Sequence, residues 1–88
     1  MCTMIAVSTP VRGNGKGAAG WFNLTKANVG YDHATHGENE HALLVDFVNP
    51  EMGPSARVAV ELDIASGKAL VEQLQAAIEA AEQSGVAE

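Results

Sequence analysis

The sequence predicts an α+β domain, a four-stranded antiparallel β-meander with one C-terminal α-helix packed on one face. Three observations carry this expectation. Apolar and polar residues alternate at a period of two over residues 57–62, and residues 41–49 form a short, mostly apolar strand-like run. Apolar residues then recur at helical spacing from Ile64 to about Gln83. The stretches between these runs are short and polar, which makes sequential strands neighbours in one sheet. With 88 residues the chain has room for one core, so residues 1–88 form a single domain.

The elements follow in order. Cys2 to Ser8 reads as a first strand, with Thr3, Ile5 and Val7 on one side and Cys2, Met4 and Ala6 on the other. Thr9 to Gly20 holds Pro10 and four glycines, Gly13, Gly15, Gly17 and Gly20, without apolar periodicity, and reads as a flexible loop. Trp21 to Asp32 is a second strand, in which Gly30 marks an expected bulge. His41 to Asn49 is a third, with Leu43, Val45 and Phe47 inward if Asp46 faces solvent. That phase puts Ala42, Leu44 and Val48 on the opposite face, where another subunit or loops would cover them. Pro50 to Pro54 is a turn by composition, and Arg57 to Leu62 is a half-buried fourth strand. Asp63 is placed to cap the helix, and Gly85 to end it. Leu70, Leu74, Ile78 and Ala81, with Val71 and Ala77 beside them, form its apolar stripe.

Composition excludes several classes of function. The net charge of −6 opposes adhesion to phosphate backbones or anionic lipid, so neither nucleic acid nor a membrane is an expected partner. Hydrophobic residues at 47% against 18% charged are enough to build a core, which excludes a disordered chain. One cysteine makes no internal disulfide and no signal-like segment opens the sequence, so a cytoplasmic location is expected.

The chemistry is concentrated in one patch. His33, His36 and His41, all the histidines of the chain, fall within nine residues between the second and third strands. The spacing H-x2-H-x4-H lets imidazoles from a strand end, a loop and a strand start converge, and neutral nitrogen donors suit zinc, copper, iron and nickel. In an antiparallel hairpin the start of the first strand lies beside the end of the second, which puts Cys2 near Asp32 and His33. Cys2, His33, His36 and His41 would make a complete tetrahedral zinc shell, and leaving one of them out would open a position for water or substrate. Glu38 and Glu40 are placed as an oxygen ligand or general base, and Asp32 as a partner for an imidazole N–H. A loop lined with solvated histidines, or one lining a dimer, is the plainer alternative.

Other motifs fail in context. Gly15-Lys16-Gly17-Ala18-Ala19-Gly20 matches the dinucleotide pattern G-x-G-x-x-G, yet a strand rather than a helix follows it, and a mobile flap is the simpler expectation. A Cys2-His33-Asp32 nucleophile lacks an oxyanion hole near the thiol. Asn23-Leu24-Thr25 is a glycosylation sequon by pattern alone.

Taken together, Met1-Cys2-Thr3-Met4-Ile5, Gly20-Trp21-Phe22, Tyr31-Asp32-His33-x2-His36, Glu40-His41-x3-Val45-Asp46-Phe47-x-Asn49 and Arg57 to Leu62 resemble a small actinobacterial family, a domain of unknown function. The resemblance spans nearly the whole chain. It implies an actinobacterial, cytoplasmic setting and no activity.

Two functions of different class are expected. The first is a small metal-binding protein with a Cys/His site for a divalent transition metal, zinc above all, with metal-assisted hydrolysis or oxidation of a small molecule if the site is open. The second is a non-enzymatic homo-oligomer or accessory subunit of a larger enzyme, using Ala42, Leu44 and Val48.

Overall fold

The computed structural model describes residues 5–34, 36–37, 40–86 and 88. Four antiparallel strands lie in one sheet in the order β1-β2-β3-β4, with β1 at Ile5–Gly17, β2 at Gly20–His33, β3 at His41–Val48 and β4 at Arg57–Leu62. A short 3-10 turn, Pro50–Met52, joins β3 to β4, and the helix α1, Ile64–Ser84, closes the chain. The fold class is the one the alternation and the helical stripe predict.

The register sorts the side chains into two unlike faces. Directly opposed residues share a face, so one side is a set of apolar rows. Ile5, Tyr31, Leu43 and Leu62 form one row and Val7, Val29, Val45 and Val60 the next, followed by Ala27, Phe47 and Val58. The other side carries Ser8, Asn28, Asp46 and Ala59 in one row and Ala6, Gly30, Leu44 and Glu61 in another. Asp46 there receives both Arg57 Nε, at 2.9 Å, and an Arg57 terminal nitrogen, at 3.1 Å. The pair raises the Arg57 pKa through the hydrogen bond first and charge attraction second.

The glycine-rich stretch is strand, which corrects the expectation of a flexible loop over Thr9 to Gly20. β1 runs on to Gly17, with Gly13 opposite Leu24, Gly15 opposite Phe22 and Gly17 opposite Gly20. Glycines have no side chain to alternate, so the period-two signal vanishes while the backbone still pairs. They also make room. A Cβ on Gly15 would sit 3.0 Å from Leu24 Cδ2 and 3.3 Å from Val58 Cγ2, and one on Gly17 would sit 3.1 Å from Phe22. The expected flap is therefore a paired hairpin, turned at Ala18 and Ala19, with Gly20 at φ 117°.

The bulge also moves. Gly30 pairs in regular register with Ala6 and Leu44, and the irregularity falls in β1 between Pro10 and Gly13. Pro10 has no N–H to give the ladder, which suits an edge strand at a bulge. Gly30 is required for a different reason, since a Cβ there would lie 2.6 Å from the Ile5 carbonyl oxygen.

Asp63 caps α1, its carboxylate accepting the Ser66 N–H at 2.7 Å, and Gly85 ends it in the left-handed conformation at φ 77°. Hydrogen bonds from Ser66, side chain first and backbone second, hold the Asp63 carboxyl below its ordinary range. A depressed folded pKa makes this stabilisation complete above the unfolded carboxyl value of about 4. It is lost as pH falls through the lower folded value. Asp63→Ala is expected to fray the first helical turn at neutral pH, while Asp63→Asn keeps the cap and removes its acid sensitivity. Circular dichroism melts from neutral to strongly acidic pH check both.

The helix meets the sheet through its first turn. Gly67 is buried, and a Cβ there would be driven into Leu43 Cδ1. Beyond that turn Leu70, Val71, Leu74 and Ile78 are about half exposed. Among the described residues the buried apolar ones are Ala27, Ala42 and Ala56, and no large side chain is fully buried.

Candidate metal centre

The mouth of the β2–β3 hairpin builds the site. His33 ends β2, His41 begins β3, and the two are direct cross-strand partners. They lie on the apolar-row face, because alternation carries Tyr31 and His33 to one side of β2 and His41 and Leu43 to the same side of β3. The Ala34 N–H donates to the Glu40 carbonyl at 3.0 Å and closes the connecting loop. Register and loop closure together bring Glu40 beside both imidazoles.

The rings stack. His33 and His41 have centroids 4.6 Å apart with planes tilted by 31°, and Tyr31 stacks on His41 at 5.8 Å and 18°. Cross-strand aromatic neighbours restrict one another's rotamers, so His41 is held by ring contacts with both Tyr31 and His33. One donor atom from each of His33, Glu40 and His41 falls within 4.8 Å of the others. His33 and Glu40 are exposed and His41 is half-buried, so the group is open to solvent without a channel.

The other expected ligands divide. His36 sits on the connecting loop, outside that 4.8 Å group, and its backbone N–H donates to Glu61 Oε1 at 3.0 Å, which ties the loop to β4. Cys2 and Glu38 lie outside the described residues. Ile5, where β1 is first described, pairs with Tyr31, two residues ahead of His33. Asp32 Oδ1 accepts the His33 backbone N–H at 2.7 Å.

A trough beside the hairpin mouth adjoins the site, bounded by His33, His36, Leu44, Asp46, Arg57 and Glu61. Arg57 and Asp46 are paired within it. Sequence reasoning missed this pairing, which follows from the β3–β4 register that sets Val48 opposite Arg57 and Asp46 one step away.

A family model matches residues 1–87. The chain belongs to a family of unknown function, DUF6295. The match takes in every element of the DUF6295 fold described above, the hairpin mouth and the helix included. No curated protein and no solved structure matches the chain. Among the described residues, no helix is long and apolar enough to cross a membrane.

Proposed function

We propose that this DUF6295 protein is a small metal-binding protein that takes zinc or another late first-row divalent ion on His33, Glu40 and His41. The single observation behind this is the convergence of three donor atoms within 4.8 Å at a hairpin mouth whose register and ring stacking fix two of them. Two imidazoles and a carboxylate suit zinc and iron far better than magnesium or calcium. The net charge of −6 adds a favourable field for a cation. Cys2 and His36 are the proposed further ligands. With three protein donors a coordination position stays open to water or substrate, and the chemistry such an ion supplies is metal-assisted hydrolysis or oxidation of a small molecule. If Cys2 and His36 join, the shell closes and the metal is structural. A reducing cytoplasm and an actinobacterial host are the setting proposed with it, in keeping with a lone thiol.

The test is a competition titration of untagged protein with a chromophoric zinc chelator. The parent protein is expected to hold one zinc per chain, and Glu40→Gln to weaken it by about 10- to 100-fold, since the amide keeps the shape and loses the charge. Equal affinity in the two proteins would remove Glu40 from the site.

A second reading, an interaction module or accessory subunit, draws support from the apolar surface left open. The larger part of that surface lies away from Ala42, Leu44 and Val48. Ala42 is buried, and Leu44 is half-buried beside Gly30 and Glu61. The exposed valines Val7, Val29 and Val60 lie on the opposite face.

A further inference from the structure

We infer that a second copy of this chain covers the stripe of α1 and the apolar rows of the sheet, forming a two-fold homodimer. This deepens the interaction reading by naming its partner and face, and it does not depend on metal.

Surface area carries the argument. The chain exposes 6915 Å², whereas a globular monomer of its mass exposes roughly 4,900 Å². Its radius of gyration is 14.8 Å, against about 12 Å for a compact domain of this length. The excess is about 2,000 Å² per chain, or about 4,000 Å² for two, which falls within the range of obligate homodimers and well above a transient contact.

The excess has a place. Val7 is 61% exposed in the middle apolar row, and Leu74 and Ile78 on the helix are 53% and 56% exposed. These are two apolar surfaces of one chain, and neither covers the other, because the helix leaves the sheet after Gly67 touches Leu43.

The stripe is also built for a like partner. Ile64, Val71 and Ile78 recur every seven residues, with Gly67, Leu74 and Ala81 at the intervening positions. The β-branched residues at the first position, with Leu74 at the central second position, favour a pair of helices over larger bundles, while Gly67 is turned to its own Leu43. No charged residue interrupts the seam from Ile64 to Ala81, while Glu72 and Glu79 lie outside it. A two-fold axis sets each protomer's seam and sheet face against the other's and leaves no open end to propagate.

The experiment is native mass spectrometry and sedimentation of the full chain, with chelator and with zinc, joined to thermal melts from about 1 to about 100 µM. The expected result is a dimer in both buffers, with a midpoint that rises with concentration. Mixing isotope-labelled and unlabelled protein should give the mixed-mass dimer, which needs no variant. Leu74→Asp should raise the dissociation constant at least about 30-fold, the scale of a central interface residue. Ala76→Glu, on the opposite side of the helix, should leave it within about 3-fold. A monomer with a concentration-independent midpoint overturns the two-fold inference. A Leu74→Asp change that leaves helix content and stability unaltered in that monomer would show the stripe open in the free chain, which overturns the homodimer and leaves the interaction reading to a different partner.

Discussion

Zinc affinity is expected to fall by more than about 100-fold when His33 and His41 are replaced together by alanine, a loss larger than removal of an outer partner produces. The reason is geometric. The two imidazoles are cross-strand partners with rings 4.6 Å apart, so their donors are brought together by β2–β3 pairing before any ion arrives. A ligand set held by a sheet register costs little ordering entropy on binding, in contrast to one gathered from loops. Removing both rings leaves Glu40, a single exposed carboxylate that water competes for well. The sheet should survive, because His33 is exposed and His41 half-buried at the hairpin end. Parallel circular dichroism separates loss of metal from loss of fold. Single replacements should fall between the parent and the double variant, and His36→Ala should weaken binding less than either.

The second large effect is expected at Gly67, where Gly67→Val should destabilise the domain by about 1–3 kcal/mol in denaturant unfolding. Helix propensity alone points the other way, since glycine is the poorer helix former. The steric term wins because the buried Gly67 faces Leu43, and even a single added carbon there would be driven into Leu43 Cδ1. Valine adds two more carbons with a stiff χ1, which cannot swing aside. Gly67→Ala is the milder case, with the propensity gain offset by the shift that Leu43 must make. The size swap Leu43→Ala with Gly67→Val should recover part of the loss. A favourable coupling of about 0.5 kcal/mol or more in the double-mutant cycle would show direct contact. Strict additivity would place the cause elsewhere.

Both effects rest on features only partly legible in the sequence. The strand at 57–62 and the helix from Ile64 were legible because a period of two or of 3.6 survives wherever side chains alternate between core and solvent, and the strand at 41–49 because it is a short, mostly apolar run bounded by polar residues. The extension of β1 to Gly17 was not, because Gly13, Gly15 and Gly17 contribute no side chains to that periodicity. A bulge was expected at Gly30 because a glycine inside a strand often marks one. The position instead answers to the close approach of the Ile5 carbonyl, a long-range contact that no local pattern encodes.

The site divides in the same way. Clustering of histidines drew attention to the β2–β3 hairpin, and the pairing of His33 with His41 needed only the strand register. His36 sits in the loop, where no register fixes a side chain, and its position is set by Glu61, twenty-five residues away. Glu40 was expected beside the histidines from its place in the patch, and loop closure between Ala34 and Glu40 is what brings it beside His33 and His41. The helical stripe announced an apolar face to be covered. Periodicity specifies that such a face exists and is silent on what covers it. The area left open is what points to a second chain.

One spectrum tests the metal reading most directly: native mass spectrometry of the protein made without a histidine tag, before and after chelation. The account predicts one divalent ion of a late first-row metal per chain, removed by chelator, regained from zinc, and missing from the His33→Ala, His41→Ala variant. A chain that stays metal-free after incubation with zinc, copper and iron would contradict it.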